Sequence, residues 1–128
     1  MNTKLLMAST SLVLAAAGMT ALFLPDWILS TQGIAVTAGA SLLVQMMGAL
    51  YIAFASMNWA ARDSVIGGIY ARPVSLANFS HFFAGALLLL NHDISHAADL
   101  SLWAVTAVYV FFTACFYWLV FRATGTKS

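Results

Sequence analysis

Hydrophobic and polar positions sort the chain into four long apolar blocks with short polar stretches between them. The first is Leu5 to Leu24, LLMASTSLVLAAAGMTALFL, closed by Pro25. The second runs from Ser41 to Ala60, the third from Pro73 to Leu90, and the fourth from Leu100 to Phe121. None holds Asp, Glu, Lys or Arg in its interior. A helix needs about 20 apolar residues to cross about 30 Å of hydrocarbon. Each block therefore predicts a transmembrane helix. The chain predicts an all-α, four-helix transmembrane bundle, read as a single domain over residues 1–128.

Composition supports lipid as the solvent. Hydrophobic residues make up 62% and charged residues 7%, against about 25% charged in an ordinary soluble domain. A soluble chain this small has too little interior to hide that much apolar side chain. The net charge of +1 gives no electrostatic footprint for nucleic acid. Cys115 is the single cysteine, so neither an intrachain disulfide nor a cysteine zinc pattern can form. In its apolar surroundings it reads as a small hydrophobe.

Charge then sets a direction. Lys4 precedes the first block, Arg62 and Arg72 lie between the second and third, and Arg122 and Lys127 follow the fourth. The other two links have no Lys or Arg. Basic residues are retained on the cytoplasmic side. The expected location is a bacterial inner membrane with both termini cytoplasmic. Asp26, Asp93 and Asp99 then fall on the outer side. Lys4, an apolar stretch and Ala15 to Ala17 resemble a signal peptide, but the length of the block argues for a retained span. In RDSVIGGIYARP, Gly67 and Gly68 predict a tight connection, and Pro73 suits the first turn of the third helix. In PDWILSTQGIAVTAGA, Trp27 is expected at headgroup level and IAVTAGA as an outward extension of the second span.

Helices in lipid associate through close contact and a few hydrogen bonds. Small residues mark the expected faces: Ser11, Ala15 and Gly18; Ala49, Ala53, Ser56 and Ala60; Ala77, Ala84 and Gly85. The fourth block carries aromatics from Trp103 to Phe121. They read as lipid-facing bulk and interfacial anchors, or as the wall of a lipid, quinone or pigment pocket.

His81 is the main polar residue within a block. It falls about 12 Å inside the third span, where an ionisable side chain is a functional candidate. Asn78 and Ser80 are beside it, Thr113 is level with it, and Tyr109 or Tyr117 has the reach to meet it. One reading is an interhelical hydrogen bond. The other is a ligand-binding set of His81, Asn78, Thr113, Tyr109 and Tyr117. Farther on, NHDISHAADL reads as a wet loop where the hydrocarbon ends. If the helix instead continues past Asn91, His92 and His96 are spaced i, i+4 with Asp99 three residues on, a pattern that resembles a three-ligand metal face.

These residues bear on function by class. A bis-histidine haem needs two deep histidines facing across the bundle, and only His81 is deep. An ion-coupled transporter wants a membrane carboxylate, and the expected spans contain none. No nucleophile and base stand in register for hydrolysis. The leading expectation is a non-catalytic membrane protein, either an accessory or assembly subunit or a self-associating bundle. Its partners would be membrane lipids and other membrane chains or its own copies, with no resident cofactor. The alternatives are a binder of a small hydrophobic molecule, such as a quinone, lipid or pigment, and a small transporter.

The stretch GALYIAFASMNWAARDSVIGGIYARPVSLANFSHFFAGALLLL carries a family resemblance, through Gly48, Tyr51, Asn58, Arg62, Gly67/Gly68, Arg72–Pro73, and His81 before Gly85. Over residues 41 to 90 the chain resembles a bacterial group of small four-span membrane proteins, distantly DoxX-like. The resemblance implies a four-helix bundle and supplies no catalytic residues. Some DoxX-like members are membrane subunits near quinone chemistry.

The wet-loop reading makes a prediction about metal. Calorimetric titration of the detergent-solubilised protein with zinc should show no tight binding. A stoichiometric tight site lost in His92→Ala/His96→Ala would overturn it.

Overall fold

The computed structural model describes residues 2–64 and 71–122, so Gly67 and Gly68 lie outside the described residues. Among these the protein is all-α: α1 (Thr3–Phe23), α2 (Pro25–Thr31), α3 (Ala38–Ala61), α4 (Ala71–His96) and α5 (Leu100–Tyr117), the last continued by a π-helical turn, Trp118–Arg122. α1, α3, α4 and α5 with its π turn are each long and apolar enough to cross a membrane. This is the pattern of a multi-pass membrane protein. The contacts gather into two compact units, Met1–Asp63 and Ser64–Ser128.

In the first unit, the ends of the helices follow from local chemistry. The Asn2 side chain accepts from Leu5 N and starts α1. Pro25 stands at the start of α2, where its missing N–H is not needed. Gly33 then ends α2 at φ 67°, with Ile34 N bonded to Leu29 O at 2.9 Å. That left-handed turn suits a residue without Cβ. Thr37 starts α3 by accepting from Ala40 N at 3.1 Å. The expected outer link thus contains a short helix, and only the last residues of IAVTAGA join the second span.

α1 and α3 pack antiparallel, and glycine sets their distance. A Cβ on Gly48 would lie 2.8 Å from Gly18 O and 2.9 Å from Ala21 Cβ. A Cβ on Gly18 would lie 2.8 Å from Gly48 O. The expected α1 face is right at Ser11 and Gly18, which are buried. The expected α3 face is wrong. Ala49, Ala53, Ser56 and Ala60 are exposed, and Gly48, Ala55 and Asn58 are buried instead. The choice of face was decided by where a backbone can touch a backbone, not by the longest run of small residues.

Two side chains tie this pair through backbone carbonyls. Ser11 Oγ donates to Ala55 O at 2.7 Å. Gln45 Nε2 donates at 3.1 Å to Leu22 O, one of the carbonyls left over in the last turn of α1. At the end of the pair that holds Lys4 and Arg62, Lys4 Nζ lies 2.7 Å from Asp63 Oδ1. The Lys4 hydrogen bond holds the exposed Asp63 carboxyl below the usual carboxylate range. The Arg62 guanidinium lies over Trp59, 4.0 Å from the ring centroid.

Gly48→Ala would test the close approach. The added methyl meets backbone on two sides, so the helices must separate. Thermal unfolding in detergent should show a loss of about 1–3 kcal/mol, whereas Ala49→Leu, on the exposed side, should change stability little.

Candidate functional site

The second unit is an antiparallel hairpin of α4 and α5, joined by Ala97, Ala98 and Asp99. α4 does not stop at Leu90. It runs on to His96, so the expected loop at NHDISH is helix. An apolar environment favours that outcome, because helix satisfies each backbone N–H and C=O internally. The end comes at Ala97, which takes φ 48°, with Ala98 N bonded back to Asp93 O at 3.4 Å. These are the parts of a Schellman closure, made here without glycine.

Aromatic rings fill the hairpin. Phe82 on α4 is fully buried. It stacks on Phe112 at 4.9 Å and on Phe116 at 6.0 Å, and meets Tyr109 edge-on at 5.2 Å between centroids. Phe79 reaches Phe121 at 5.4 Å. The aromatics of α5 thus divide by face. Phe112 and Phe116 are core, while Trp103, Phe111, Tyr117, Trp118 and Phe121 are exposed.

His81 lies at the edge of this core. Its Nε2 is 3.4 Å from the Tyr109 hydroxyl, and the two rings are 5.6 Å apart. Gly85, one turn along α4, makes room for the Tyr109 ring, because a Cβ there would overlap Tyr109 Cε1 and Cδ1. Of the two tyrosines expected within reach of His81, Tyr109 is the one that meets it. The other members of the predicted set have contacts of their own. Thr113 Oγ1 donates to Tyr109 O of its own helix at 2.8 Å. The Asn78 amide, wholly buried, donates to Val74 O at 2.9 Å. Tyr117 packs with Phe79 and Phe121. The arrangement can present an imidazole and a phenol together, at the side of an aromatic surface, to a molecule with one polar end.

Extension of α4 places the polar cluster anew. His92 and His96 stack at 4.7 Å between centroids, and both are exposed. His96 Nδ1 is 3.2 Å from His92 O. Asp99 stands beyond the helix end, preceding α5, where it accepts from Ser101 Oγ at 3.1 Å. Among the described residues no group of three or more His, Cys, Asp or Glu is placed to hold a metal ion.

The residue that sequence reasoning missed is Asp93. It belongs to the buried stripe Ala71, Ser75, Asn78, Phe82, Ala86 and Asp93, and is 1% exposed. Thr106 Oγ1 on α5 lies 2.5 Å from Asp93 Oδ2. The signal was available in the spacing. Asp93 is 11 residues past Phe82, which turns it only about 20° from that ring on a helix. The expected end of the third span at Leu90 excludes Asp93; because α4 runs on to His96, a carboxylate lies within a membrane-length helix after all.

Comparison with known proteins adds no relative: no family model, curated protein or solved structure matches the chain.

The glycine notch and the hydroxyl can be separated by mutation. Tyr109→Phe keeps the ring in place and should cost only the hydrogen bond, about 0.6 kcal/mol. Gly85→Ala drives the ring out and should cost more by disturbing Phe82. Unfolding of the two variants in detergent checks the order.

Proposed function

We propose that this is a non-catalytic integral protein of a bacterial inner membrane, acting as an accessory or assembly subunit or by association with its own copies. One observation carries the reading. Much of the interior polar chemistry is turned onto helix carbonyls rather than toward a common cleft. Thr10 donates to Leu6 O, Ser11 to Ala55 O, Ser75 to Ala71 O and Thr113 to Tyr109 O. Hydroxyls held in this way hold the fold rather than attack a substrate. Broad apolar faces remain outward, including Leu42, Leu43, Met46 and Met47 on α3 and Leu87 and Leu88 on α4. Such faces suit lipid and neighbouring membrane helices.

Both termini are proposed to be cytoplasmic. Lys4 and Arg62 stand at one end of the α1–α3 pair, and Arg72 and Arg122 at one end of the α4–α5 hairpin. That grouping within each unit supports the inference from charge. The distant DoxX-like likeness supports a small membrane subunit as the protein class and rests on the sequence alone.

A second reading is favoured by the His81–Tyr109 pair beside an aromatic surface. It is the binding of a small lipophilic molecule with one hydrogen-bonding group, such as a quinone. Native mass spectrometry of protein released from mild detergent distinguishes the two. The subunit reading expects oligomers or a co-purifying membrane chain, and a lone monomer overturns it. The binder reading expects a stoichiometric lipophile that His81→Ala releases.

A further inference from the structure

Asp93 presents a hydrogen-bond count that does not close. Thr106 Oγ1 lies 2.5 Å from Asp93 Oδ2 and 3.0 Å from Leu102 O. A hydroxyl has one proton, and both neighbours are acceptors if the carboxyl is ionised. Asp93 Oδ1 is buried and has no hydrogen-bond partner. An ionised Asp93 would therefore be a buried charge served by one contested donor on Oδ2, with Oδ1 facing only the His92 imidazole at 3.7 Å, beyond hydrogen-bond distance. Burying a charge in that condition is strongly unfavourable.

One added proton closes the count. A carboxylic acid donates its O–H to Thr106 Oγ1, which leaves the Thr106 hydrogen free for Leu102 O. The remaining carbonyl oxygen is neutral and far less demanding of a donor. Among the described residues of this hairpin the two cations, Arg72 and Arg122, stand at its other end.

We propose that Asp93 is a proton-binding site, holding an exchangeable proton between α4 and α5 that is loaded through His92. The route follows from position. His92 Nδ1 is 3.7 Å from Asp93 Oδ1, and its side chain is 52% exposed while that of Asp93 is wholly buried. An imidazole there is open to water on one side and faces the carboxyl on the other. Within this unit the groups around Asp93 are few. His92 flanks it on α4, with His96 stacked behind. α5 offers Thr106, while Asp99 is engaged with Ser101 and Tyr109 faces His81. The ligand is the proton itself, and the proposal stands independently of the subunit reading.

Infrared spectroscopy of the protein in liposomes at neutral pH tests it. All four acidic side chains are Asp, and Asp26, Asp63 and Asp99 are exposed. A C=O band of a protonated carboxylic acid should appear in the wild type, shift on transfer to deuterated water and vanish in Asp93→Asn. Thr106→Val should move the band toward the position of an unbonded acid, which also assigns it if Asp93→Asn fails to fold. His92→Ala should slow the deuterium shift. Carboxylate bands alone in the wild type, or an acid band that survives Asp93→Asn or ignores Thr106→Val, would overturn the site. Unchanged exchange in His92→Ala would overturn the route.

Discussion

A polar group taken out of water must find a partner inside the protein, and the cost of failing is higher where the surroundings are lipid. That constraint orders most of what is seen here. It makes the backbone helical through nearly every described residue. It sends hydroxyls back to carbonyls three or four residues earlier, as Ser9, Thr10, Thr20 and Ser56 do. It places Gln45 against a carbonyl that α1 has no further residue to satisfy. At Asp93 the requirement is met on one oxygen only.

The two units meet a second requirement, close contact without a hydrophobic drive, in opposite ways. α1 and α3 approach until backbone touches backbone at Gly18 and Gly48, and hydrogen bonds from Ser11 and Gln45 lock the register. α4 and α5 use bulk. Phe82, Phe112 and Phe116 stack across the hairpin, and one glycine, Gly85, is cut away to admit a ring rather than a helix. The first arrangement depends on dispersion over a narrow seam. The second depends on the shapes of a few large side chains.

The four membrane-length helices were legible because about 20 consecutive apolar residues have few other physical uses. Depth narrowed the partner of His81 to Tyr109 or Tyr117, and packing, not depth, selects Tyr109. Faces were harder. Ala49, Ala53, Ser56 and Ala60 make a clean stripe of small residues, yet the helix turns Gly48 inward, because small residues tolerate exposure to lipid as well as contact. The third helix outruns its expected end at Leu90 for a related reason. Asn91, His92 and Asp93 look like water-facing residues, and hydropathy treats every polar side chain alike. It cannot distinguish His92, which faces out, from Asp93, whose position one residue on puts it in line with Phe82. Thr113 bonds along its own helix, a local competitor that level-matching ignores.

The division at Asp63 has a consequence for how the chain is made. Each compact unit is a continuous stretch of sequence holding two of the membrane-length helices. The partner of α3 is therefore already synthesised when α3 emerges, and α4 waits only for α5 across a three-residue link. Insertion can proceed as two successive helical hairpins, each sealing its own glycine seam or aromatic stack before the next begins. In the second hairpin, the carboxyl of Asp93 on α4 meets Thr106 as soon as α5 follows.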